Sequence, residues 1–270
     1  MFMVTNYYYL RMNILDEILN YKKTIIARDK ALMSIDQLRA QPLYERKCNS
    51  LKEALQHSTT GIVAEFKRKS PSKGWIHPEA AAAELCSAYE SSGASGISVL
   101  TDEHFFGGST QDLSLARESV QRPLLRKDFI LDEYQLYQSK ALGADLILLI
   151  AAALIPAKTK LLAAKARQLG LEVLLEIHSL KELDHINEYV DILGVNNRKL
   201  QSFETDLQLS FQVAGYLPEQ VTKISESGLS APADVLALRQ AGYKGFLMGE
   251  AFMKTDNPAK ALADFIKQLS

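Results

Sequence analysis

From Gly61 onward, short runs of mostly apolar residues alternate with longer stretches in which apolar residues recur every three or four positions. The first pattern predicts buried strands and the second amphipathic helices. Strand-like runs fall at 62–66, 96–100, 123–126, 146–150, 171–175, 192–195, 221–224 and 245–248. Helical patterns follow them at 78–92, 112–119, 132–142, 156–169, 180–189, 207–214, 231–241 and 258–268. Gly93, Gly143, Gly170 and Gly242 stand where helices commonly end in a left-handed residue. Eight βα units predict an α/β fold, a (β/α)8 TIM barrel, over residues 61–270. A doubly wound sheet would carry a glycine-rich dinucleotide turn after its first strand. The turn here is Arg68-Lys69-Ser70-Pro71-Ser72.

Residues 1–60 show helical spacing and no strand. Helices are predicted at 14–30, with Asn13 as N-cap, and at 34–40 and 51–56. They form an N-terminal extension packed on the barrel, one domain overall. A barrel is complete without them, so they are expected to lie across the catalytic mouth as a lid or to plug the opposite face. The tyrosine-rich stretch Met1–Arg11 is expected to lie outside the fold.

Composition narrows the class. A length of 270 residues is normal for one barrel, and 47% hydrophobic with 23% charged residues is ordinary globular usage. The net charge of −1 gives no global attraction to nucleic acid or an acidic membrane. Cys48 and Cys86 are expected to be reduced thiols, and neither they nor the five histidines show metal-type spacing. The apolar run 146–154 is too short to span a bilayer, and the N-terminus lacks a signal-peptide pattern. A cytoplasmic monomer is expected.

In such barrels, chemistry sits at the C-terminal strand ends. Side chains alternate along a strand, so Val63, Glu65 and Lys67 share one face. The following basic loop suits an anion. The third strand brings Leu125, Lys127 and Phe129 to one face, the fifth brings Glu176, and the sixth Gly194, Asn196 and Arg198. The seventh carries Glu226, and the loop after the second carries Phe105 and Phe106. Each charge alone reads as a solvated residue. Their convergence on one mouth instead suits general acid–base work. Ser227-Gly228 and Gly249-Glu250, after the last two strands, let backbone N–H groups approach a phosphate, with Ser70 adding a hydroxyl. Ordinary glycine turns are the alternative.

These residues resemble the indole-3-glycerol-phosphate synthase family of tryptophan biosynthesis. The carriers are Ile14-Leu15-Asp16-Glu17-Ile18, Ala64-Glu65-Phe66-Lys67-Arg68-Lys69-Ser70-Pro71-Ser72, Leu125-Arg126-Lys127-Asp128-Phe129 and Leu175-Glu176-Ile177-His178. Gly194-Val195-Asn196-Asn197-Arg198, Ser225-Glu226-Ser227-Gly228 and Phe246-Leu247-Met248-Gly249 complete them. The resemblance implies ring closure of 1-(2-carboxyphenylamino)-1-deoxy-D-ribulose 5-phosphate to indole-3-glycerol phosphate, with loss of CO2 and water. It implies no metal and no organic cofactor.

By the same resemblance, Lys127 is the general acid for ring closure and Lys67 the partner of the substrate carboxylate or, as an alternative, a second acid in dehydration. Glu176 serves the dehydration step, and Glu65 is an acid/base or holds the lysines. Asn196, Glu226 and Arg198 bind substrate. Phe129 with Phe105 or Phe106 walls the anthranilate ring. Ser70, Ser227, Gly228, Gly249 and Glu250 cradle the phosphate, Glu250 through its backbone N–H only, since its carboxylate would repel the anion. A phosphosugar isomerase barrel would need a different acid–base pair, and a non-catalytic phospho-ligand sensor would bind without turnover.

Overall fold

The computed structural model describes residues 14–199 and 202–269. The expectations for Met1–Arg11 and for Asn13 therefore lie outside the described residues. Eight parallel strands close into a barrel. They are β1 (Ile62–Phe66), β2 (Gly96–Leu100), β3 (Leu124–Lys127), β4 (Leu146–Ile150), β5 (Glu172–Ile177), β6 (Ile192–Asn196), β7 (Thr222–Glu226) and β8 (Gly245–Met248). Closure is made by β1, which pairs Val63 with Gly96 of β2 and Val63 with Leu247 of β8.

Four strands reach one or two residues further than their apolar runs predict. Lys127, Glu176, Asn196 and Glu226 stand inside β3, β5, β6 and β7 rather than after them. An apolar-run criterion stops near the first inward-facing polar residue, whereas the ladder continues as long as such residues find partners.

Seven of the eight interstrand patterns contain an α-helix of the barrel's outer layer, from Ala82–Ser91 to Pro258–Lys267. The pattern at 180–189 is instead a 3-10 helix, Leu180–His185. Asn187 accounts for the difference. Its amide donates to the His185 carbonyl and accepts from the Tyr189 N–H, so it competes with a helical ladder.

Side-chain alternation divides the core in two. Val63, Leu125, Leu146, Leu174, Ile192, Ile224 and Leu247 fill the barrel interior. Ile62, Ala64 and Phe66 face the outer helices, with Ile97, Ile147, Val173 and Leu193. Complete burial of each larger aliphatic side chain contributes about 1.5–3 kcal/mol.

The N-terminal helices α1 (Ile14–Leu32), α2 (Ile35–Arg39) and α3 (Leu51–His57) do two different jobs. Helix α3 closes the N-terminal face. Glu172, at the start of β5, accepts from the Leu51 and Lys52 N–H groups at 2.8 and 3.2 Å and from the Ser50 hydroxyl. Leu51 and Leu55 then enter the barrel interior against Gly96 and Gly245. A Cβ on Gly96 would lie 2.5 Å from Leu51 Cδ1, and one on Gly245 would lie 2.9 Å from Leu55 Cδ1. Helix α1 lies at the other end, where Ile14, Leu15 and Ile18 help enclose the cavity at the mouth. It is fastened by Lys22, which is 4% exposed and ion-pairs with Asp102 at 2.8 Å and Asp128 at 2.7 Å. The extension thus reaches both faces of the barrel, α1 at the mouth and α3 at the opposite end. No helix among the described residues is long and apolar enough to cross a membrane.

Candidate active site

The C-terminal strand ends enclose a cavity of ≈ 270 Å³. Among its charged groups is Lys127, whose Nζ donates to Glu176 Oε2 at 2.8 Å and to Glu226 Oε2 at 2.6 Å. All three side chains are buried. Burial favours loss of the Lys127 proton, but the charges of Glu176, Glu226 and Glu65 outweigh it and raise the ammonium's pKa. The two carboxyls diverge around this one cation. Burial also opposes ionisation of Glu176, yet Lys127 and His178 hold it below the usual range. Glu226 is pushed up by burial; Lys127 opposes this and Glu176 adds to it. Paired groups driven apart in this way are suited to opposite proton-transfer roles.

A second ion pair lies on β1. Lys67 Nζ donates to Glu65 Oε1 at 2.6 Å, with Lys67 half-buried and Glu65 buried. Glycines make room for both carboxylates. A Cβ on Gly194 would lie 2.2 Å from Glu226 Oε1, and one on Gly249 would lie 2.8 Å from Glu65 Oε1. Gly249 therefore serves Glu65 directly, a contact that strand alternation alone does not reveal.

The basic loop is less basic toward the cavity than its sequence suggests. Arg68 turns away and grips Asp112 with two hydrogen bonds of 2.7 Å, and Lys69 donates to the His104 carbonyl at 2.8 Å. Ser70, Pro71 and Ser72 line the cavity instead. Beside them, Arg198 donates to Glu250 Oε2 at 2.9 Å. Burial favours the protonated form of Glu250, but Arg198, with Lys67 and Lys73, holds the carboxyl below its ordinary value. Its charge is thus neutralised within the site.

Ser227 and Gly228 line the same end, with φ values of 65° and 76°. A non-glycine residue in the left-handed region is uncommon and is concentrated at functional sites. Lys254 also lines this end and was not predicted.

Asn196 lines the cavity, and its Oδ1 accepts from the Arg198 N–H at 3.0 Å. Phe106 and Phe129 supply an aromatic wall, their centroids 6.3 Å apart. Phe105 does not reach the cavity. It faces α1, edge-on to Tyr21 and to His104 at 5.8 and 4.7 Å. The adjacent-residue ambiguity therefore resolves to Phe106, because the short helix Glu103–Phe106 places the two rings on different sides. Every other predicted site residue borders the cavity. Sequence reasoning missed Ile14, Leu15 and Ile18 as wall residues, although their helical spacing was visible, and it missed the Lys22 fastening.

The family model described as indole-3-glycerol phosphate synthase matches residues 15–265. Similar proteins of that description include one from Bacteroides thetaiotaomicron, 51% identical over 95% of this chain and 99% of its own length. Another from Salinibacter ruber is 41% identical over 93% and 94% of the two chains. One from Neisseria meningitidis is 42% identical over 91% and 96%. Among solved structures, a thiamine phosphate pyrophosphorylase from Pyrococcus furiosus matches with a TM-score of 0.58 at 14% identity, covering 78% of this chain and 96% of that one. That likeness concerns the fold alone. With the family model spanning nearly the whole chain, and full-length relatives at these identities, this protein belongs to the indole-3-glycerol phosphate synthase family.

Proposed function

We propose that the chain converts 1-(2-carboxyphenylamino)-1-deoxy-D-ribulose 5-phosphate to indole-3-glycerol phosphate, CO2 and water, with Lys127 as the general acid. The observation that carries this reading is the buried Lys127 ammonium held between Glu176 and Glu226 at the barrel mouth.

In the first step, the ring carbon bearing the carboxylate attacks the sugar carbonyl. The carbonyl π electrons move to oxygen, and the alkoxide takes a proton from Lys127. An ammonium fixed in a buried site stabilises that developing charge strongly. Its raised pKa does not prevent transfer, because an alkoxide is a stronger base than an amine. Lys67 pairs with the substrate carboxylate until CO2 leaves and its bonding electrons return to the ring. Glu176 then serves dehydration, in which hydroxide leaves with a proton and a carbon-bound proton is removed to complete the indole.

Glu65 holds Lys67 in place, and Asn196, Glu226 and Arg198 orient the sugar. Phe106, Phe129 and the α1 side chains Ile14, Leu15 and Ile18 surround the anthranilate ring and exclude water. Ser70, Ser227, Gly228, Gly249 and the Glu250 backbone face the phosphate. The cavity's size and charged lining suit a small phosphosugar, and the free cysteines fit a cytoplasmic setting. Mixing pure protein with the substrate tests the reading: indole fluorescence should appear with turnover. Binding of the substrate without fluorescence would instead mark a phospho-ligand sensor.

A further inference from the structure

His178 is a titratable side chain beside this site that the mechanism above does not use. It follows β5 by one residue and shares a strand face with Glu176. Its side chain is 9% exposed, and neither ring nitrogen has a hydrogen-bond partner. A buried polar group left unpaired is costly and calls for an explanation. Its surroundings supply one. Nε2 lies 3.4 Å from Glu176 Oε1, and Nδ1 lies 4.0 Å from Glu182 Oε2. Glu182 is 19% exposed and is anchored by the His178 backbone N–H at 2.6 Å. Glu176 meanwhile uses its other oxygen, Oε2, to accept from Lys127. Glu182, His178, Glu176 and Lys127 thus stand in series from the surface inward, the two contacts of the imidazole lying outside hydrogen-bond geometry.

We propose that His178 relays solvent protons to Glu176 and thereby recharges Lys127 between turnovers. The proposal rests on the synthase reading above, whose proton balance requires such a supply. Two protons are delivered per turnover, one to the alkoxide and one to the departing hydroxide. One is recovered from carbon when the indole forms. The substrate carboxylate leaves as neutral CO2, so one proton must enter from solvent. The groups that need it are buried.

In the relay, a hydronium ion or buffer acid protonates Glu182, which passes the proton to Nδ1 of His178. The ring gives up its Nε2 proton to Glu176 Oε1, and the carboxyl group then rotates half a turn so that the same O–H donates its proton to the neutral Lys127 amine. No electron is gained or lost, and a ring flip restores the starting tautomer. The two long contacts, 3.4 and 4.0 Å, need side-chain rotations to close to hydrogen-bond distance. His178 does not border the cavity, so it acts through Glu176 and has no contact with substrate.

The test uses the full-length protein and steady-state indole formation in dilute buffer. His178→Gln and His178→Phe should lower kcat by about 10-fold or more, the lower range of general acid–base effects, with KM within twofold. Added imidazole or another small buffer acid should restore kcat to His178→Gln in proportion to its concentration, while the unaltered enzyme shows no such dependence. A merely structural role would give a loss that no buffer repairs, and that result overturns the relay. A kcat within twofold of the unaltered enzyme overturns it too. Should the His178 variants not fold, Glu182→Gln, which keeps an acceptor for the His178 N–H, faces the same two readouts. An active unaltered enzyme with indifferent variants refutes the relay alone; an unaltered protein that forms no indole refutes the synthase reading and the relay with it.

Discussion

Glu172 and Glu176 stand on one face of β5, two side-chain repeats and about 13 Å apart, and each holds a different end of the barrel. Glu172 receives the N-terminus of α3 and fixes the plug. Glu176 receives Lys127 and faces the cavity. The same chemical group therefore meets a helix N-terminus at the bottom and, in the proposed mechanism, serves dehydration at the top. What separates them is the company they keep: backbone N–H groups and the Ser50 hydroxyl below, a buried ammonium and an imidazole above.

The division between lid and plug predicts opposite phenotypes from neighbouring parts of the extension. Leu55→Ala, in α3, should lower the unfolding free energy by about 2–5 kcal/mol and leave kcat and KM of the folded fraction unchanged. Ile18→Ala, in α1, opens the cavity wall and should raise KM by several-fold. Denaturant unfolding and steady-state kinetics on both variants check this. A KM change in Leu55→Ala with an unchanged Ile18→Ala would reverse the assignment.

The α1 fastening should be sensitive to acid. Asp128 is buried, which alone would raise its pKa, but Lys22 and Arg126 pull it down from 3.8 to about 2. A carboxyl lowered on folding stabilises fully above its unfolded value and loses that contribution as the pH falls toward the folded one. The contribution, about 2 kcal/mol, is therefore complete above about pH 4 and is lost between about pH 4 and 2. Asp128→Asn should cost about 3 kcal/mol at pH 7, because it leaves buried cations undercompensated. Unfolding curves across this range should show the gap between variant and parent narrowing in acid. A gap that stays constant would show that ionisation of Asp128 does not stabilise the fold.

At the phosphate end, Gly228→Val places a side chain on a residue with φ of 76° and 3.3 Å from Thr205 Cβ. We expect KM to rise by at least about 10-fold and inorganic phosphate to compete more weakly, since left-handed backbone disfavours a branched residue. An unchanged KM and an unchanged inhibition constant for phosphate would move the phosphate site away from this turn.

Much of this site was legible because strand alternation is rigid. Glu65 with Lys67, and Lys127 with Phe129, fall on the cavity side by parity alone. What parity could not supply was contact between elements distant in sequence. Lys22 reads as one more polar position on an amphipathic helix, and its partners Asp102 and Asp128 lie on two other loops. Arg68 looks like a ligand for an anion until Asp112 is seen to occupy it. Glu250 looks hostile to phosphate until Arg198 is found against it. The choice between Phe105 and Phe106 depended on a four-residue helix with no periodic signal of its own. The split of the extension between two faces was also hidden, because α1 and α3 carry similar apolar spacing and differ only in what they meet.

The central claim, that Lys127 is the general acid of ring closure, is tested most directly by Lys127→Met. Its parent's Nζ holds two carboxylates at 2.8 and 2.6 Å, so the variant must first be shown to fold by circular dichroism and to bind substrate by titration. Steady-state indole formation is then measured alongside CO2 release. The account predicts that the unaltered protein releases CO2 and forms indole-3-glycerol phosphate in equal amounts, and that the folded, substrate-binding variant loses at least about 100-fold in kcat for both products. A folded variant whose kcat falls by less than about 10-fold would contradict it, since that is below the usual size of a general acid's contribution.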